Sequence, residues 1–165
     1  MFPLAYAVVD IENNDNWLWF LRTVHRVIET YAPVFLHPKK LTFLSDHQKG
    51  LLEAVGLVFP DSPHGYCLKH LEECFRKAFK NADVCSLLWK AARATTQEDF
   101  DKAIQDMNAI EPLASQWLQA NADPVHWAEI YFEGRRYGHL TSNISESLNS
   151  WLLTARELPI LAKVS

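Results

Sequence analysis

The feature that most constrains this chain lies between residues 41 and 79. There LTFLSD is followed by HQKGLLEAVGLVF, and the short segment HGYC by LKHLEECFRKAF. A short apolar run that breaks at Asp46 and passes into Leu51, Leu52, Val55 and Val58 on one side of a helical pattern reads as a strand feeding a helix. A weaker extended segment, His64 to Cys67, repeats the move, with Leu68, Leu71, Phe75 and Phe79 marking the next helix. Pro60 stops the helix between them. Upstream, PLAYAVV (residues 3–9), bounded by Pro3 and Asp10, suits a strand buried on both faces. Asp15 or Asn16 then caps a helix carrying Trp17, Phe20, Leu21, Val24, Val27 and Ile28, which Pro33 bounds.

From Asn81 to Gly138 no strand interrupts a helical pattern. Thr95 and Glu98 are spaced as a capping box ahead of Phe100, Ala103, Ile104, Met107 and Ile110. Trp89, Trp117, Trp127, Tyr131 and Phe132 supply bulky core for this block. A last helix is expected in TSNISESLNSWLL. The chain therefore reads as α/β with a helical insertion before its final helix: an α/β part over 1–80, an insertion over 81–138 and a final helix region over 139–165.

Composition narrows the function. The 165 residues are 48% apolar and 22% charged with 5 glycines, which excludes disordered and collagen-like chains. A net charge of −4 lacks the basic excess of a general phosphate-gripping protein, so any nucleic-acid contact must be local. The apolar stretches fall far short of the ~20 residues of a membrane span, and three cysteines make no even disulfide framework. An intracellular setting with no membrane partner is expected.

Several residues could carry chemistry. Asp46 ends an apolar strand, where open α/β sheets place ligand groups, but taken alone it also reads as a cap of the helix that follows. With Asn143 as a cap, Glu146 sits where a capping box puts its carboxylate. Cys67, His70 and Cys74 share one helix face. A structural zinc site needs four ligands, and only His64 and Cys85 lie near enough in sequence to complete one, so this face reads as packing and zinc is not expected. Arg76, Lys77, Lys80 and the pair Arg135, Arg136 read as solvated faces, with Arg135 and Arg136 as candidate DNA-backbone contacts.

Taken in order, FPLAYAVVDIENNDNWLWFL, LTFLSDHQKGLLEAVGLVFPDSPHGYCLKHL and YGHLTSNISESLNSWLLTARELPIL resemble the second part of a Mutator-like element (MULE) transposase domain. The far-red-response transcription factors of plants carry the same type of domain. The likeness runs through nearly the whole chain and rests on the order SD, VFP, H, YC, H, a helical spacer, TSN and ES.

That resemblance implies an RNase H-like DDE transposase core with a helical insertion. Asp46 matches the second Asp, Glu146 the Glu, and Cys67 with His70 the family's C-x-x-H feature. Paired carboxylates of this kind hold Mg²⁺ or Mn²⁺ ions ~4 Å apart that assist phosphodiester cleavage and strand transfer. In the family the first Asp lies on a strand upstream of the PLAYAVV-like strand and a further strand follows it. This chain begins at the third, so its core is expected to lack the first two strands and one carboxylate, and Asp10 and Glu12 read as turn residues. The expected function is a transposase fragment inactive alone, nuclear, with DNA as partner and other protein chains as further partners. The alternative is a domesticated DNA-binding or transcription-regulatory protein of the far-red-response type.

Overall fold

The computed structural model describes residues 4–38, 40–46, 48–143 and 147. Helix α1 (Asn14–Tyr31) opens on Asn13, whose side chain accepts from the Asn16 amide at 2.8 Å. The cap therefore falls two residues ahead of Asp15, which instead adds a favourable negative charge to the first turn. Leu21 and Ile28 face inward, and a 3₁₀ turn (Pro33–Leu36) follows.

Strand β1 (Phe43–Ser45), helix α2 (Lys49–Val58), strand β2 (His64–Tyr66) and helix α3 (Leu68–Phe79) come next. β1 and β2 pair in parallel, Phe43 opposite His64 and Ser45 opposite Tyr66, with α2 as the crossover. The expected strand–helix–strand–helix unit is thus present.

Residues 4–9 do not form the strand their sequence suggests. Leu4 and Tyr6 are 73% and 68% exposed, and no ladder pairs this segment among the described residues. An apolar run becomes a strand only when a neighbour pairs with its backbone groups, and residues 4–9 pair with neither edge of the two-stranded sheet described here.

Two apolar clusters flank the strand pair. Leu21 and Ile28 of α1 meet Ala54, Val55 and Phe59, with Phe43 packed against them. Trp17 Nε1 donates to Gln48 Oε1 at 3.0 Å and Asn14 Nδ2 to Glu53 Oε2 at 2.8 Å, which sets α1 against the start of α2. The larger cluster joins Leu68, Leu71 and Phe75 of α3 to α4 (Ala82–Arg93), α5 (Gln97–Ile110), α6 (Ala114–Asn121) and α7 (Pro124–Trp127). Helices fill the expected block as far as Trp127, whereas residues 128–138, expected to continue the helical pattern, are irregular. Helix α5 is capped by Thr96, which accepts from the Asp99 amide at 3.2 Å. The cap therefore pairs with Asp99, one residue beyond the Thr95 and Glu98 spacing.

After α7 the chain folds back over the sheet without regular structure to Ser142. Gly134 allows this. A Cβ there would lie 2.6 Å from Pro63 Cβ and 2.8 Å from Thr42 Oγ1, so only a residue lacking one fits. Of the expected final helix, Thr141, Ser142, Asn143 and Ser147 are described, Asn143 and Ser147 as helical, while Glu146 and the others lie outside the described residues.

Candidate functional site

Asp46 follows β1 directly, and its side chain is exposed. The cap position of α2 is Gln48, and it makes no side-chain cap bond. Asp46 is therefore not the cap of α2, and of its two sequence readings the strand-end position is the one its geometry matches. Next to it the Cys67 amide donates to the Ser45 carbonyl at 2.6 Å, extending the parallel ladder by one bond. The carboxyl ends of both strands thus lie side by side, where parallel sheets present ligand groups.

Cys67 is the N-cap residue of α3 and is buried, with no side-chain cap bond. Its sulfur instead accepts from the Ser142 amide at 3.3 Å, and the Leu68 amide donates to the Leu140 carbonyl at 2.8 Å. Burial pushes the Cys67 thiol up, but hydrogen bonds from Ser142 and His70 outweigh it and hold the thiol below its ordinary value. Burial alone would lower the His70 imidazole. The hydrogen bond with Cys67 and the charges of Cys67, Glu73 and Asp46 carry it above its ordinary value instead. Cys67, His70 and Asp46 therefore form one electrostatically linked group at the strand ends.

Behind it, Ser45 Oγ and His64 Nε2 are 2.8 Å apart. Desolvation, reinforced by the nearby His126, lowers His64 to about 4. His126 Nδ1 pairs with the His64 carbonyl at 2.7 Å, and its ring stacks on Tyr66 with centroids 4.4 Å apart. Sequence reading missed this cluster because its members meet only once β1, β2 and α7 are assembled. The alignment of Ser45 with the strand end was the one available hint.

Cys74 is exposed on α3, so the shared helix face does not gather it with Cys67, and Cys85, named with His64 as a possible fourth ligand, is buried in α4 against the helical block. Arg135 and Arg136 take opposite roles. Arg135 is exposed, its amide donating to Thr42 Oγ1 at 3.3 Å. Arg136 is 4% exposed. Its guanidinium pairs with Glu129 at 2.8 Å, donates to the Trp127 carbonyl at 3.2 Å and lies 4.2 Å from the Phe132 ring centroid. Of the two candidate DNA contacts, only Arg135 is at the surface.

A family comparison bears on the segment that builds this strand end. Residues 1–74 match the MULE transposase domain. The matched MULE segment contains Asp46, Cys67 and His70 and runs through both strands into α3. The helical block and Arg135 follow it. No curated protein matches the chain. MULE transposases are a divalent-metal-using, DNA-acting family, so the fit of such an ion to these residues matters. Asp46 offers hard oxygen ligands, but among the described residues no group of three or more Asp, Glu, His or Cys side chains could hold an ion. The described residues alone do not build a metal site. No described helix is long and apolar enough to cross a membrane.

Proposed function

We propose that the chain is a Mutator-like transposase domain with an RNase H-like strand pair, descended from an enzyme of DNA cleavage and strand transfer, and that it does not cleave DNA alone. In this reading Asp46 and Glu146 are the carboxylates that would take Mg²⁺ or Mn²⁺, and the protein acts in the nucleus on DNA. The observation that carries it is Asp46 standing exposed at the carboxyl end of β1, uncommitted to helix capping, inside the segment matching the MULE domain. The parallel β1–α2–β2 unit followed by a helical block supports the architecture.

A second reading is a domesticated DNA-binding or regulatory domain of the far-red-response type. Such a binding role needs no assembled ion site. Both readings expect no nicking by the isolated chain. A supercoiled-plasmid assay with Mg²⁺ or Mn²⁺ tests this, with nicking no higher than that of Asp46→Ala and Glu146→Ala as the expected result. Robust nicking that both substitutions abolish would show a complete active site.

A further inference from the structure

Outside the strand-end group, an unusual backbone geometry stands at Tyr137. The His139 amide donates to the Arg136 carbonyl at 2.8 Å, closing a tight turn whose two central residues, Tyr137 and Gly138, have φ of 49° and 78°. Positive φ at both central positions is the pattern of a type I′ turn, whose first central residue is best filled by Asn, Asp or Gly. A tyrosine there is strained. Its ring gains no burial in return, for Tyr137 is 81% exposed. The turn is nevertheless firmly rooted, because Arg136 is buried in its ion pair with Glu129. The fold thus holds an aromatic ring out in water at a position where stability prefers asparagine.

The ring borders a groove of about 770 Å³ beside β1. Lys40, Arg135 and His139 line it together with the hydroxyls of Thr42 and Thr141, and Glu133 supplies the opposing charge. Ser142, also in the lining, touches Cys67, and the Cys67 amide bonds to Ser45 beside Asp46. The groove therefore leads toward the strand-end group. Cations and hydroxyls along a groove with an exposed ring at its side suit a phosphodiester backbone with one base unstacked onto the ring. In a chain of net charge −4, two permanent cations are few for the closely spaced phosphates of a duplex. Stacking adds affinity only where a base is free to leave its neighbours.

The geometry points to a single-stranded DNA site in which Lys40 and Arg135 hold the backbone and Tyr137 stacks one base. This deepens the proposed function, naming the form of DNA the domain engages, and it rests on that reading for its biological setting. The interaction itself needs neither metal nor Asp46.

Fluorescence anisotropy of the full chain with a ~16-nucleotide oligothymidine in EDTA tests it. Tyr137→Ala is expected to weaken binding ~10-fold and Tyr137→Trp to preserve it, in line with one lost stacking contact. Tyr137→Asn is the sharper variant: it should raise the melting temperature, as a better turn former, while losing the same affinity. A strand with abasic positions should bind the wild type as weakly as the intact strand binds Tyr137→Asn. With Lys40 and Arg135 as two phosphate contacts, the plot of log affinity against log salt should slope by about −1.4. Equal binding by Tyr137→Asn and wild type, equal binding of intact and abasic strands, or tighter binding of a duplex of the same length would overturn the proposal. Because binding is read in EDTA, where no metal-dependent cleavage can proceed, a failure here is separate from any result of the nicking assay.

Discussion

The backbone amide of Ser142 donates to the sulfur of Cys67 at 3.3 Å, joining residues 75 apart in the chain. This contact seats the end of the long return segment against the carboxyl ends of both strands. Cys67→Ala removes the acceptor and leaves a part-buried amide unsatisfied, at an expected cost of about 1–3 kcal/mol. Cys67→Ser keeps an acceptor and places a good capping residue at the start of α3, so it should cost less. Urea denaturation of the two variants checks the order.

Stability should fall in mild acid because of His64. Its folded value, about 4, lies below the ordinary 6.5, so the unfolded chain takes up a proton more readily than the native one. The contribution of His64 is then complete above pH 6.5 and is lost as pH drops toward 4. The ring faces Ser45 on β1, the rings of Phe43 and Tyr66, and His126 from α7, and none of these supplies an anion to hold the charged form. His64→Gln should flatten the stability profile across that window, as thermal melts at stepped pH would show.

Asp46 is expected to matter electrostatically and little for folding. It is exposed and is not the cap of α2, so Asp46→Asn should change stability by no more than about 0.5 kcal/mol. Its charge is one of those raising His70, so the same substitution should lower the His70 midpoint in an NMR titration. A raised histidine stabilises the fold below its unfolded value and loses that contribution as pH climbs through its folded one. The variant should therefore lose a little stability on the acid side of neutrality. A His70 midpoint unmoved by Asp46→Asn would separate the two residues.

Arg136 should behave as a structural residue. Arg136→Ala leaves the Trp127 carbonyl without its donor and Glu129 without its partner. Breaking a buried pair costs about 3–5 kcal/mol, and the 39% side-chain exposure of Glu129 brings the expectation to the lower end. Arg135→Ala should leave stability within about 0.5 kcal/mol. Equal losses for the two variants in denaturant melts would contradict the division between them.

Gly134→Ala should destabilise the fold by about 1–3 kcal/mol, because the added methyl meets the rigid Pro63 ring and the Phe132 side chain. Amide exchange should show the loss concentrated in residues 133–142, with α4 and α5 keeping their protection.

The sequence by itself determined the elements whose signals are local. Helix α3 runs over the LKHLEECFRKAF span, β1 stops one residue short of Asp46, and the helical block lies where no strand pattern interrupts it. In each case the apolar spacing and the bounding Pro, Asp or Asn act within a few residues. Tertiary structure decided what depends on partners distant in the chain. PLAYAVV has strand composition, yet residues 4–9 stay exposed because a strand is made by its neighbours' hydrogen bonds. Asp46 had two readings in sequence, while both readings of Arg136 placed it at the surface, where it does not lie. The start of α2 at Lys49 left Asp46 outside the cap position, and the approach of Glu129, Trp127 and Phe132 turned Arg136 inward while Arg135, its neighbour, stayed in water. Composition sets what a side chain can do, but the desolvation and pairing that select among those roles exist only once the chain has brought its distant segments together.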